Sequence, residues 1–72
     1  MINYFLTFSL QKNKPITIIY LSNDGKVSQR KVLVKKIGHD KMIAYCFLRH
    51  HIRTFTLNNV LSADHTAKST AV

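Results

Sequence analysis

Arginine is the side chain in this sequence whose type and placement suit a chemical task, because its planar fork of N–H donors grips a phosphate or a carboxylate through two hydrogen bonds at once. The chain has three: Arg30, Arg49 and Arg53. Side chains two residues apart on a β-strand share a face. Arg30 therefore shares a face with Val32 and Val34, and Arg53 shares one with Phe55 and Leu57. If the apolar members point into a core, both guanidinium groups point toward its open end, and a basic mouth results. Tyr45 and Phe47 lie on the same parity as Arg49 and offer rings on which a nucleobase can stack. Two plainer arrangements fit the same spacing. Each arginine can lay its stem on the core with its head in water, and Tyr45 and Phe47 can simply fill the core.

The other reactive residue types do not form sets. His50 and His51 are adjacent, so a strand would send them to opposite faces, and with His39, His65 and Cys46 they form no H-x-H, C-x-x-C or H-E-x-x-H pair. No metal site is expected. Cys46 sits in the longest apolar run, Met42 to Leu48, where a buried and unreactive thiol is expected. Asp24, Asp40 and Asp64 are isolated from one another, and the first two sit in turn sequences, so paired carboxylates for acid–base work are lacking. The expectation is a binding module and not an enzyme, with no catalytic residue and no cofactor.

The elements that must position the arginines are mostly strands. Residues 1–14 place Ile2, Phe5, Leu6 and Leu10 near helical spacing, with Thr7, Ser9, Gln11 and Lys12 as a polar flank, and predict a short amphipathic helix. Tyr4, Leu6, Phe8 and Leu10 also alternate, so a strand over 3–10 is the competing reading. From Pro15 onward the composition favours sheet. Ile16 to Leu21 is a strand, Ser22-Asn23-Asp24-Gly25 a hairpin turn, and Lys26 to Ile37 the return strand. Gly38-His39-Asp40 turns the chain into a third strand over Met42 to Leu48. Arg49-His50-His51 interrupts, Ile52 to Leu57 is a fourth strand, and Asn58-Asn59 turns into Val60-Leu61. Residues 62–72 read as an edge strand or a disordered tail. The predicted fold is mainly β: a small antiparallel SH3-like or Sm-like barrel of about five strands, with a barrel core over 16–61.

Composition bounds the function classes. Seventy-two residues make one small domain with little room for an enclosed active site. The net charge is +8, and residues 26–53 carry eight Lys and Arg against Asp40 alone. Such a field attracts phosphate polyanions and acidic surfaces. The expected partners are a nucleotide or single-stranded nucleic acid, or else an acidic protein. No stretch reaches the ~20 apolar residues that span a bilayer, a secretory leader is not expected at the N-terminus, and a lone Cys points to a reducing, cytoplasmic setting.

With the strands laid out, residues 16–61 resemble the WYL domain, a ligand-sensing module usually attached to bacterial transcription regulators. Ile18-Ile19-Tyr20-Leu21, Asn23-Asp24-Gly25 and Ser28-Gln29-Arg30-Lys31-Val32 are similar to the family's opening strand, turn and Ser-x-Arg-x-Val. Ala44-Tyr45-Cys46-Phe47-Leu48-Arg49, three residues, then Arg53-Thr54-Phe55-Thr56-Leu57-Asn58-Asn59-Val60 is similar to its A-Y-C-x-x-R and R-x-F-x-L-D-R-I blocks. Asp40-Lys41-Met42 stands where the naming Trp-Tyr-Leu would fall, Val34 replaces a Pro, and Asn58-Asn59 replaces an acidic-basic pair. The resemblance implies an anionic ligand, held by Arg30, Arg49 and Arg53 with Tyr45 in support. The sequence lacks the helix-turn-helix that reads DNA in such regulators.

Overall fold

Residues 2–12 form a helix in the computed structural model, which describes residues 2–66. The helix, α1 (Ile2–Lys12), turns inward the set Ile2, Phe5, Leu6 and Ser9, whose i, i+3, i+4, i+7 spacing defines one face. That corrects two sequence expectations: Ser9 is buried and Leu10 is exposed. Asn13 ends the helix in the left-handed region (φ 56°), and the Lys14 N–H donates back to the Ser9 carbonyl at 3.3 Å. Asparagine tolerates that conformation better than most residues.

Five antiparallel strands follow: β1 (Ile16–Leu21), β2 (Val27–Ile37), β3 (Lys41–Cys46), β4 (His51–Thr56) and β5 (Val60–His65). They lie in one sheet in the order β4-β3-β2-β1-β5. The sheet is not closed into a full barrel, since β4 and β5 occupy its two edges. A side chain spans the gap instead. Tyr20 packs edge-on against Phe55 at 4.9 Å, and its hydroxyl accepts a hydrogen bond from the Thr56 N–H at 3.1 Å, joining β1 to β4.

Alternation sorts the strand residues. Ile16 and Ile18, Val32 and Val34, Met42, Ala44 and Cys46, Phe55 and Val60 are buried on the inner face together with Leu6 of α1. The register between β2 and β3 shifts between Val34 and Lys36, a bulge of the kind that bends a strand and deepens its twist. β1 begins at Ile16, opposite Val32, so on that side the sheet offers Val34 no partner. Ser9 supplies one, its Oγ accepting the Val34 N–H at 2.9 Å. A buried N–H left without a partner would be costly, which explains a serine inside the apolar face of α1.

The strand boundaries differ in detail from those expected. The third strand stops at Cys46, because Phe47 to His50 form the turn into β4, with His50 at φ 59° and its N–H donating to the Cys46 carbonyl at 2.8 Å. Leu57–Asn59 is a single 3-10 turn and not a strand end. The last strand runs on past Leu61 to His65, pairing with β1. The expected tail over 62–72 is therefore an edge strand in its first four residues, and residues 67–72 lie outside the described residues.

Candidate functional site

The two ends of the sheet differ in chemistry. At one, α1 packs near the start of β1, and His65 of β5 stands edge-on to Phe5 and Phe8, 4.9 Å from each. At the other, the β1–β2 hairpin loop and the β3–β4 turn border an open cleft of about 510 Å³ that contains Arg30, Arg49, Arg53, Lys26 and Ser28. Arg30 and Arg53 point inward as their strand parity predicts, although Leu57 lies in the 3-10 turn beyond the strand. Arg30 continues the inward row of Val34 and Val32, and Arg53 the inward row of Phe55, and both are half-buried. Arg49 reaches the same cleft from the exposed β3–β4 turn.

Each inward guanidinium is held by its surroundings. The Arg30 Nε donates to the Ser28 Oγ at 3.1 Å, and its Nη1 stands 4.0 Å from the buried Cys46 sulfur. The Arg53 guanidinium carbon lies 5.9 Å from the centroid of the Phe55 ring, within range of a cation–π attraction. Both heads thus stand on the core beneath them, with N–H donors left for a guest in the cleft.

The opposite wall is a three-residue hairpin loop. The Gly25 N–H donates to the Ser22 carbonyl at 3.0 Å, and the Ser22 N–H donates to the Lys26 carbonyl at 2.8 Å. Gly25 takes the positive φ, 86°, that such a loop requires at its last position. Asp24 is the one carboxylate lining the cleft. It accepts hydrogen bonds from the Ser22 hydroxyl and from the Lys26 N–H. These bonds, the Ser22 hydroxyl first, hold its carboxyl below the usual aspartate range. Its bonds thus go to the turn, and the mouth keeps four cationic side chains against this single negative charge.

Tyr45 is the sequence-predicted site residue that the geometry separates from the rest. On β3 it alternates with the inward Ala44 and Cys46, so its ring lies on the outer face of the sheet, opposite the arginines. It packs there edge-on against Phe47 at 5.0 Å, and both rings are half-buried. Sharing parity with Arg49 did not bring them together, because the strand ends before Arg49. Five further polar residues line the cleft without having been singled out in the sequence as site residues: Ser22, Asn23 and Asp24 of the hairpin loop, with Lys26 and Ser28. Ser28 stands two residues before Arg30 on the same strand, so the parity that found Arg30 also reaches it; Lys26 carried no signal beyond its place after the turn.

Among the described residues, no group of three or more His, Cys, Asp or Glu side chains is placed to hold a metal ion, and no helix is long and apolar enough to cross a membrane. No family model, curated protein or solved structure matches the chain. What the cleft can do chemically follows from its donors. It offers forked cationic N–H groups, serine hydroxyls and an ammonium, a set that attracts and orients an anion.

Proposed function

We infer that the chain is a small binding module whose basic mouth takes an anionic ligand, a nucleotide or single-stranded nucleic acid, in the manner of a WYL-like sensing domain. One observation carries this reading: Arg30, Arg49 and Arg53 come from a strand, a turn and another strand and meet in one cleft. Arginines serving only solubility would have no reason to converge against their mutual repulsion. Arg30 and Arg53 grip phosphate oxygens, and Arg49 covers them from the rim. The buried Cys46 thiol suits a reducing, cytoplasmic setting, and binding is the whole activity. The test is direct binding of thymidine monophosphate and short oligothymidylates at low salt. The native chain should bind, and Arg53→Ala should weaken binding about tenfold or more, the scale of a lost charge-assisted hydrogen bond. Silence toward every phosphate ligand would sink the reading.

A second reading has its own observation. Among the described residues β4 and β5 are the edge strands, and β4 exposes Ile52, which suits strand addition by a protein partner with acidic side chains. A stable complex with such a protein, joined to indifference toward nucleotides, would favour it.

A further inference from the structure

The outer face of β2, β3 and β4 carries a second cluster that the mouth does not use. Lys31, next to Arg30 on β2, points outward and sets its ammonium 5.1 Å from the centroid of the Phe47 ring. Phe47 meets Tyr45 edge-on at 5.0 Å. Tyr45 stands in register between Leu33 of β2 and Ile52 of β4, so the rings belong to a continuous apolar strip. The Phe47 N–H donates to the Lys31 carbonyl at 3.0 Å, which fixes the ring's backbone beside the lysine. Neither β2, β3 nor β4 contains a single acidic residue, whereas Lys31, Lys35, Lys36 and Lys41 are all exposed on them. Half-buried rings with an accessible side, set among exposed lysines, match a chain that alternates bases with phosphates, because stacking accepts any base and the ammonium takes the next phosphate. Membership of one short turn, Phe47 to His50, puts Phe47 on this face and Arg49 at the mouth.

We propose that the Lys31–Phe47–Tyr45 cluster is a second station for single-stranded nucleic acid: a strand held at the mouth by the three arginines passes over the β3–β4 turn and stacks a base on the outer face. This rests on the mouth binding phosphate, and it narrows that ligand from a nucleotide to an oligonucleotide. The lysine now over the Phe47 ring moves to a phosphate as the base arrives.

The experiment is an affinity series with thymidine monophosphate and oligothymidylates of increasing length, at one low salt concentration. Affinity should rise about tenfold once the oligomer is long enough to reach both stations. Phe47→Ala should erase most of that rise and leave monophosphate binding unchanged. Lys31→Gln, a change of an exposed side chain that keeps the fold even if the ring truncation does not, should also remove part of the rise. It should also reduce the salt dependence of oligomer binding by about one phosphate's share. An affinity independent of length, or a Lys31→Gln variant that binds oligomers as the native chain does, would overturn the second station while leaving the mouth intact. No binding of any of these ligands would overturn both readings.

Discussion

At the scale of single residues, geometry divides the charged side chains into those with a fixed role and those without. Arg30 is the most constrained, with Ser28 and Cys46 around its guanidinium. Its fork, and not merely its charge, should matter. Arg30→Lys is expected to keep the fold and weaken phosphate binding about tenfold, which a binding titration beside a thermal melt checks. Equal affinity in the two proteins would show that a point charge suffices. Asp24 has a structural task. Bonded by the Ser22 hydroxyl and the Lys26 N–H, it has a native acidity stronger than in the unfolded chain. Its contribution to stability is therefore fully present above the unfolded value of about 3.9 and is lost as pH falls through the lower native value. Thermal melts across that acid range should show a decline that Asp24→Asn lacks. The carboxylate is exposed, so the effect should be modest.

Elements show how one polar atom can set the docking of a helix or the closure of a sheet. α1 meets the sheet where the β2 bulge and the late start of β1 leave the Val34 N–H without a strand partner, and Ser9 completes it. Ser9→Ala is predicted to cost about 1–3 kcal/mol, the penalty of an unsatisfied buried donor. Faster hydrogen exchange at Val34 is the local readout, and unchanged exchange would contradict the assignment. Tyr20 has the corresponding part at the open side. Tyr20→Phe removes the acceptor for Thr56 and should cost about 0.5–1.5 kcal/mol, with exchange rising at Thr56 more than at Ile18. These bonds also mark the limit of what the sequence made legible. Strands were readable because β-branched runs and the Asp24-Gly25 turn are local signals, and the inward direction of Arg30 and Arg53 followed from parity alone. Ser9 was misassigned because a serine in an amphipathic helix carries no local sign that a strand N–H needs it. Tyr45 was misplaced because parity extends only as far as the strand, and β3 ends at Cys46, three residues short of Arg49.

For the whole molecule, the fold separates its tasks by end and by face. α1 covers one end of the inner core, the hairpin loop and the β3–β4 turn shape a basic mouth at the other, and the outer sheet face keeps aromatic rings among lysines. The +8 charge is thereby given two distinct sources. Three converging arginines supply a focused site, and the strand lysines supply a diffuse field that speeds encounter with a polyanion. The proposed ligand chemistry rests on the convergence of Arg30, Arg49 and Arg53 in one cleft. That ligand chemistry is tested most directly by the affinity for one short oligothymidylate measured across a series of salt concentrations. The account predicts that the logarithm of affinity falls linearly with the logarithm of salt, with a slope of roughly −0.7 for each phosphate neutralised. It also predicts a shallower slope in Arg53→Ala. An affinity indifferent to salt, or no binding even at low salt, would contradict it.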